Sequence, residues 1–377
     1  MTYRKRSNLS WVEIDLAALH HNLEMVRGQL KNKTKIIAVV KADAYGHGAV
    51  EISRVLIEYG IDALAVATVG EALELRHNGI GVPILILGSV AESEFDYLFE
   101  QNLTPTLNSV EMTLALNNRA CVRMQKLKVH LRIDIGMGSY GVTTGEGLYL
   151  IDEIMKMSNL ELQGIYTHIN TMYGGNLNDA RGQVRVFNEF LIQLKQKGVY
   201  LPLIHASSSP AVIRLPDAEY DMVRLGIVLY GLPCGNEFID DQIQAVMQIK
   251  TKVVAIKTVG IDSGLGYGWT FKTMYPSRIA TVPLGYADAS FLHHLKAGEV
   301  IIREQRAPII GKPCMDHFLI DISSVEGAAV GDEVVILGKQ GNQAIYAEEI
   351  ACRSGIDPNN IDLVGLLGSR IPRVYRK

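Results

Sequence analysis

The sequence predicts an α/β fold in which a TIM-type parallel (β/α)₈ barrel precedes a mostly-β domain. With 377 residues, the chain is too long for one small domain and suits a large barrel with a second domain. From about residue 35, short apolar runs alternate with helical patterns. After about residue 240 the helical patterns thin and strand-like runs dominate.

Eight apolar runs in series are the predicted barrel strands, because parallel strands are buried on both faces. Between the first two runs, Ile52, Val55 and Tyr59 have helical spacing, and Gly60 follows where the helix should stop. Eight such units suit a closed barrel, although periodicity alone leaves a doubly wound open sheet as an alternative. The runs are Lys35–Lys41, Ala63–Val69, Ile84–Gly88, Leu103–Leu107, Lys128–Asp134, Leu162–His168, Leu203–Ser207 and Val223–Val228.

The region after residue 240 reads as a β domain. Its apolar runs lack intervening helices and are separated by Gly-rich turns, so they cannot be further barrel units. A boundary near Gly235–Gln242 is expected, which gives domains 1–240 and 241–377. The runs are Met247–Val259, Arg278–Val282, Glu299–Arg303, Phe318–Ile322 and Glu333–Leu337.

Composition excludes several classes of protein. Hydrophobic residues make up 48% and charged residues 20%, a globular balance. The net charge of −3 and the absence of a long basic run give no sign of a nucleic-acid partner. The apolar stretches are shorter than the ~20 residues that a membrane helix needs. The polar N-terminus shows no secretory signal, and the four widely spaced cysteines indicate reduced thiols in a cytoplasmic protein.

Lys41 ends the first run, where a (β/α)₈ barrel carries its reactive groups. A small, Gly-rich segment, residues 42–48, follows it. A lysine that closes a buried strand is costly without a partner, so a Schiff-base lysine is one hypothesis. A lysine that extends from the strand end to solvent is the alternative.

Other polar groups collect at the ends of later runs. His168 ends the sixth, either at a site or as a hydrogen-bonded core residue. Three serines, residues 207–209, end the seventh run, and Arg224 and Gly226 lie in the eighth. Such loops suit a phosphate, although turn chemistry also explains the serines. With Lys41, they indicate a phosphorylated aldehyde cofactor.

The histidine pairs give no metal site. His20-His21 and His293-His294 are adjacent, without HExxH spacing, and no Cys/His cluster accompanies them. We therefore expect no metal.

Nine ordered segments, spread over nearly the whole chain, carry a specific pattern. They are Trp11–Leu16, Ala38–Gly48, Asp134–Gly138, Tyr166–His168, Val223–Ile227, Gly266–Gly268, Gly285–Asp288, Cys314–Asp316 and Arg370–Arg373. In this order they resemble the alanine racemases, a family of fold-type III enzymes that use pyridoxal 5′-phosphate. The resemblance implies that the strand near residues 11–15 joins the β domain and that the cofactor binds at the barrel mouth.

The resemblance also implies roles for individual residues. Lys41 would bind the cofactor covalently, His168 would lie against its ring, and Arg224 would face its pyridine nitrogen. An arginine there donates only and disfavours a proton on that nitrogen, which should limit transamination. The residues that would hold the phosphate are Tyr45, Ser209, Gly226 and Ile227.

Racemisation needs a proton removed from one face of the α-carbon and one returned to the other. In the family, a lysine and a tyrosine from the partner subunit do this. Here they would be Lys41 and Tyr267, so a homodimer with shared active sites is implied. Met315 and Asp316 would come from the second chain to the substrate carboxylate.

This sequence also departs from the family pattern. A carbamylated lysine often positions an arginine near the cofactor's phenolic oxygen, and the two corresponding positions hold Arg132 and Ser139. Leu292 replaces an arginine expected along the substrate channel. These changes concern the substrate more than the reaction type, since Lys41 and Tyr267 are present.

The chain most resembles the catalytic portion of VanT-type serine/alanine racemases, whose membrane domain would precede Met1. A family tyrosine that narrows the substrate pocket is replaced by Asn360 or, in another alignment, Ile361. We therefore expect racemisation of serine and alanine, for peptidoglycan precursors and vancomycin resistance. The alternatives are a housekeeping alanine racemase, a non-catalytic cofactor-binding barrel, which would lack a second base such as Tyr267, and a barrel decarboxylase.

Overall fold

The computed structural model describes residues 9–31, 33–172, 176–295, 298–355 and 367–377. The chain divides into two compact units. One unit comprises residues 20–243. The other comprises residues 1–19 and 244–377, and it contains the first strand, β1 (Ser10–Asp15).

Residues 20–243 contain a closed parallel barrel. Its strands are β2 (Lys35–Val39), β3 (Ala63–Val66), β4 (Ile84–Ile86), β5 (Thr104–Leu107), β6 (Leu127–Arg132), β7 (Leu160–Tyr166), β8 (Leu203–Ser208) and β9 (Met222–Leu225). Each strand pairs with the next, and β9 returns to β2 through pairs such as Lys35 with Met222. The predicted barrel is therefore confirmed, and the β2–β9 ladder excludes an open sheet.

The helices follow the predicted alternation with the barrel strands. Helix Ala49–Glu58 buries Ile52 and Leu56 and ends before Gly60, as the sequence predicts. No helix in the described ranges is long and apolar enough to cross a membrane. The helices are Leu16–Arg27, Ala49–Glu58, Val69–His77, Phe95–Glu100, Val110–Arg123, Thr144–Ile154, Leu177–Gln196, Ser209–Arg214, Glu237–Asp240 and Ala347–Ser354.

Apolar side chains from neighbouring strands fill part of the barrel. Strands β2, β3, β4 and β9 all contribute to this buried cluster. Its packing leaves the polar residues at the strand ends as the groups available for chemistry. The cluster consists of Ile37, Val39, Ala63, Ala65, Leu85 and Met222.

The second unit is built mainly on antiparallel strands, although β1 and β20 pair in parallel. In order across the main sheet they run β11-β14-β17-β16-β15-β18-β10-β1-β20, and β19 pairs with β18. The strands are β10 (Met247–Lys252), β11 (Ala255–Val259), β12 (Gly264–Leu265), β13 (Phe271–Lys272), β14 (Ser277–Val282), β15 (Glu299–Ile302), β16 (Gln305–Ile310), β17 (Phe318–Asp321), β18 (Glu333–Gln340), β19 (Gln343–Ile345) and β20 (Arg373–Arg376). The mostly-β character predicted for this region is confirmed.

One predicted strand was wrong in its extent. The run Met247–Val259 forms two strands, β10 and β11, with different neighbours in the sheet. Val253 donates its backbone N–H to Asp332, whereas the next residue, Val254, donates to Thr281. The chain therefore changes partner strands between these two valines, which an uninterrupted apolar run does not reveal.

Candidate active site

A cavity of about 650 Å³ lies at the carboxyl ends of the barrel strands. Its lining includes three basic side chains, those of Lys41, Arg132 and Arg224. Among the residues that the structure describes, no aspartate or glutamate lines it. A positively charged cavity with no acidic lining suits an anionic ligand.

Lys41 follows β2 and begins an unusual turn. The strand ends at Val39, two residues earlier than predicted. Residues 42–45 all have positive φ, between 52° and 55°, although none is glycine. A left-handed turn of this kind costs ~1–2 kcal/mol per residue for L-amino acids. Such strain concentrates at functional sites, where surrounding contacts maintain it.

Hydrogen bonds from two carboxylates hold this turn. Oδ1 of Asp43 accepts from the backbone N–H of Ala49 at 2.8 Å. Oε1 of Glu71 accepts from the backbone N–H of Ala42 at 2.7 Å. Both bonds are to charged acceptors, which are stronger than neutral ones. The direction in which Lys41 leaves the strand is therefore defined by the turn that follows it.

A small polar concavity lies at one end of the cavity. The residues at the ends of β8 and β9 form it. A Cβ on Gly226 would lie 3.0 Å from the Tyr45 hydroxyl, so the absence of a side chain leaves room there. Oγ of Ser209 accepts from the Gly226 backbone N–H at 3.0 Å. Oγ of Ser208 is buried and has no hydrogen-bond partner in the described structure. An unpaired hydroxyl in this position fits a phosphate, whose oxygen would accept a hydrogen bond from it.

Arg224, on β9, is buried and donates to several acceptors. Its Nη2 donates to the carbonyls of Thr167 at 2.8 Å and Ala206 at 3.0 Å. Its Nη1 lies 2.8 Å from Nδ1 of His205, and Nε2 of His205 lies 2.9 Å from Nδ1 of His130. Burial lowers the pKa of Arg224 to about 10, which leaves it protonated at neutral pH.

His168 lines the cavity beside Arg224. Its Nδ1 lies 3.4 Å from Nη2 of Arg224. Burial, followed by the charges of Arg224, Arg132 and Lys41, lowers the pKa of His168 to about 3. The imidazole is therefore neutral at physiological pH. A neutral, flat ring is suited to packing against a ligand.

Arg132 and Ser139 both line the cavity. Arg132 is the last residue of β6 and is buried, whereas Ser139 is exposed on the loop that follows. Ile227, the remaining phosphate-binding candidate, also lines the cavity. All the candidates for cofactor binding thus lie around one space.

Tyr267 belongs to the other unit. It begins a 3₁₀ turn, Tyr267–Trp269, and is 73% exposed. The flanking glycines, Gly266 and Gly268, both have φ of +70°, a conformation that glycine adopts at no steric cost. The turn lies between the short paired strands β12 and β13, which hold its ends together. The chain therefore presents this phenol outward on a constrained turn.

Met315 and Asp316 lie together in the same unit as Tyr267. Arg370 links them, since its Nη2 donates to Oδ1 of Asp316 at 2.7 Å and to the Met315 carbonyl at 3.3 Å. Arg370 also pairs with Asp288 through Nη2 at 3.0 Å. Leu292 is buried in the turn Ser290–His293. The acidic candidate Asp316 thus already has a cationic neighbour.

Asn360 and Ile361 lie outside the described residues, so the proposed pocket position has no structural description. In the described ranges, no group of three or more histidine, cysteine or acidic residues is arranged to hold a metal ion.

The comparisons with known proteins decide the family. The model "Alanine racemase, N-terminal domain" matches residues 14–233, and "Alanine racemase, C-terminal domain" matches residues 246–375. The chain belongs to the alanine racemase family. Enzymes of this family use pyridoxal 5′-phosphate, and the basic cavity, the unpaired Ser208 hydroxyl and the space at Gly226 fit that cofactor.

Relatives and solved structures support the assignment to the alanine racemase family over the full chain. The chain is 38% identical to the alanine racemase of Halothermothrix orenii, over 97% of each chain. It is 40% identical to alanine racemase 2 of Caldanaerobacter subterraneus subsp. tengcongensis, over 97% of this chain and 94% of the relative. The alanine racemase structure from Clostridium difficile 630 matches with a TM-score of 0.92 at 34% identity, covering 99% and 97% of the two chains. These relatives do not carry the narrower VanT-type name.

Sequence reasoning missed three features of the alanine racemase site. Ser208 was passed over in favour of Ser209, because three adjacent serines give no signal of which hydroxyl lacks a partner. The His130–His205 contact joins β6 to β8, and neither histidine stands at a predicted strand end. The sequence singles out Arg370 only as part of the segment Arg370–Arg373. Its two acidic partners, Asp288 and Asp316, also lie in segments of the family pattern, and the opposite charges of these residues were the available signal.

Proposed function

We propose that this chain is a pyridoxal-phosphate-dependent alanine racemase that interconverts L- and D-alanine by a two-base mechanism. The observation that carries the proposal is a cavity with Lys41 and Arg224 and no acidic lining among the described residues, in a chain that matches this family over residues 14–233 and 246–375.

The cofactor's phosphate would bind in the concavity at Gly226. The hydroxyls of Tyr45, Ser208 and Ser209 would supply polar groups there, with the backbone of Ile227 and with Gly226, whose N–H already holds Oγ of Ser209 in place. A glycine lets the backbone approach the anion, and the unpaired Ser208 hydroxyl gains an acceptor. Lys41 would hold the aldehyde carbon covalently.

His168 would lie against the cofactor ring and Arg224 would face the ring nitrogen. When bound, pyridoxal phosphate withdraws electrons from the substrate's α-carbon and so acidifies the α-proton. Because Arg224 is a donor that stays protonated, it opposes protonation of the ring nitrogen. That limits the electron withdrawal, which favours return of the proton to the α-carbon over side reactions such as transamination.

Two residues would carry protons on opposite faces of the α-carbon. Lys41 would serve the D-isomer and Tyr267 the L-isomer, because one group cannot reach both faces. Tyr267 is 73% exposed in its own chain, which supports its insertion into the active site of a second copy. The active form would then be a homodimer. Met315 and Asp316 of the second copy would lie at the substrate carboxylate.

Alanine is the better-supported substrate. The relatives described above are named alanine racemases, which favours the housekeeping alternative over a serine racemase of a vancomycin-resistance operon. The serine expectation rests on residue 360 or 361, outside the described structure. A housekeeping enzyme of this kind would supply D-alanine for peptidoglycan precursors.

The direct experiment incubates the cofactor-loaded protein with L-alanine and, separately, L-serine, and follows the D-isomers by chiral chromatography. D-alanine formation well above D-serine formation is expected. Lys41→Ala should lose both the visible absorbance of the lysine-bound cofactor and all turnover. Retention in that variant of a cofactor that borohydride fixes to the protein would overturn the assignment of Lys41.

A further inference from the structure

Arg132 is a buried cation that forms no ion pair with any described residue, although it interacts electrostatically with Asp134, two residues further along the chain. Arg132 is the last residue of strand β6 and is 8% exposed. Its Nη2 donates to Sδ of Met137 at 3.1 Å, and its Nε has no hydrogen-bond partner. A thioether is a weak acceptor. Arg132 also interacts with the Tyr166 hydroxyl, but burying a guanidinium without an ion pair is costly unless another group pairs with it.

The loop after β6 is folded so that it keeps Arg132 in the cavity. Asp134 accepts three backbone N–H groups, from residues 136, 137 and 138, and this turn places Met137 beside Arg132. The loop then returns to the strand end, where Val142 donates its N–H to the Arg132 carbonyl at 3.0 Å. A Cβ on Gly141 would lie 2.8 Å from that carbonyl oxygen, so the loop packs directly on Arg132.

Aromatic rings account for part of the environment of Arg132 but supply no anion. Its guanidinium carbon lies 5.7 Å from the Tyr140 ring centre and 6.0 Å from that of Tyr166. Arg224 lies on the same Tyr166 ring, at 5.0 Å. Two cations thus share one aromatic ring in a cavity that no described acidic side chain lines. An anionic ligand would supply the negative charge that the described lining lacks.

We infer that Arg132 binds an anionic oxygen of the ligand in this cavity and takes over the clamp that Ser139 cannot provide. The inference rests on the proposed function, because it assumes cofactor and an amino acid in the same cavity. The oxygen has two possible sources, the phenolate of the cofactor and the α-carboxylate of the substrate. A planar, permanently charged guanidinium suits either one. No carbamylated lysine is needed to position a separate arginine, because Arg132 itself carries the positive charge that binds the anionic oxygen.

The test measures both sources in the holoenzyme without turnover. One arm follows the pH midpoint of the bound cofactor's visible absorbance. The other measures the dissociation constant of propionate, a carboxylate that lacks the amino group, with propionamide as the neutral probe. Loss of a charge-assisted bond in Arg132→Gln should weaken propionate binding roughly 10- to 100-fold if the carboxylate is the source. If the phenolate is the source, the midpoint should rise by about 1 pH unit or more.

Met137→Leu is the matched control, because it removes the thioether acceptor and keeps the side-chain bulk. Both readings should stay within about threefold of the parent, since a ligand anion rather than sulfur satisfies Arg132. A change in either arm for Arg132→Gln, with no change for Met137→Leu, supports the inference and identifies the source.

Parent-like values in both arms for a folded Arg132→Gln holoenzyme would overturn the inference. If that variant does not fold, Arg132→Lys serves instead. Arg132→Lys keeps the charge but loses the planar fork, so a smaller loss of propionate affinity, about 3- to 10-fold, is expected if the carboxylate is the source. Parent-like values in both arms for Arg132→Lys would also overturn the inference. Racemisation by the parent is scored separately. A parent that binds cofactor and propionate but forms no D-alanine would refute the proposed function and leave the anion site standing.

Discussion

Arg224 donates through Nη1 to Nδ1 of His205 at 2.8 Å. Since arginine can only donate, the His205 proton must sit on Nε2, which donates to Nδ1 of His130 at 2.9 Å. The His130 proton must then sit on Nε2. Both imidazoles are thus neutral and have defined tautomers. Together they hold the Arg224 guanidinium by hydrogen bonds from inside the barrel, with no carboxylate in this chain of contacts.

This chain of donors predicts acid sensitivity. Burial, followed by the charge of Arg224, lowers the pKa of His130 to about 4, and the pKa of His205 lies well below its ordinary value for the same reasons. The unfolded chain, with ordinary histidines near pH 6.5, binds more protons than the folded chain below that pH. The contribution of each neutral histidine to the free energy of unfolding is therefore fully present above pH 6.5. It is lost as the pH falls towards 4, by ~1.4 kcal/mol per pH unit for each histidine.

His130→Asn keeps an acceptor for His205 and removes one titrating ring. Because carboxylates titrate in the same range, the informative quantity is the difference between parent and variant in urea unfolding at pH 7 and pH 5. The variant should lose less stability on acidification. An identical loss would mean that His130 is not held neutral in the fold.

Gly164, on β7, should not tolerate a side chain. A Cβ there would lie 2.5 Å from Cε1 of His130, so Gly164→Ala must displace the ring whose Nδ1 contacts His205. Overpacking of this kind costs ~1–3 kcal/mol in the free energy of unfolding. Gly182→Ala is the control, because nothing lies within 4 Å of its new Cβ in helix Leu177–Gln196, and about 0.5–1 kcal/mol of stabilisation is expected. Equal stability of the two variants would contradict the tight packing at His130.

Ser207 and Ser208 form a matched pair for the cofactor site. Oγ of Ser207 donates to the Ala218 carbonyl at 2.7 Å, whereas Oγ of Ser208 is unpaired. Ser208→Ala should weaken cofactor affinity by about 10-fold or more and leave apoprotein stability nearly unchanged. Ser207→Ala should cost ~1 kcal/mol of stability with cofactor affinity retained. Cofactor titration of the apoproteins and urea unfolding check both. The reverse pattern would remove Ser208 from the phosphate site.

Much of the barrel was predictable, because parallel strands buried on both faces leave apolar runs that helical patterns separate. Lys41 was found for the same reason, since a charged residue ends such a run. The left-handed turn after it was not predictable. Residues 42–45 include no glycine, and the turn is held by a local hydrogen bond that Asp43 accepts from Ala49 and a tertiary one that Glu71 accepts from Ala42.

The remaining site depended on register and on distant parts of the chain. The contact between His130 and His205 joins two strands that β7 separates, so it follows from the pairing and register of three strands rather than from a local pattern. The break at Val253 arises from partner strands far away in sequence. Tyr267 was proposed only through resemblance, because an exposed tyrosine between glycines has no local signature of catalysis.

The central claim is that Lys41 and Tyr267 serve opposite faces of the α-carbon. Replacing the Tyr267 hydroxyl should remove the group that handles the L-isomer's proton and leave the cofactor bound to Lys41. Tyr275→Phe, another exposed tyrosine of the same unit, is the matched control.

The decisive measurement is the initial rate at which solvent deuterium enters the α-position of L-alanine and, separately, of D-alanine in Tyr267→Phe. Loss of a general base typically lowers the rate ~10²–10⁴-fold. We predict a fall of that size from L-alanine, near-parent exchange from D-alanine, and parent-like values for Tyr275→Phe. Deuterium entry from L-alanine at the parent rate in Tyr267→Phe would contradict the two-base account.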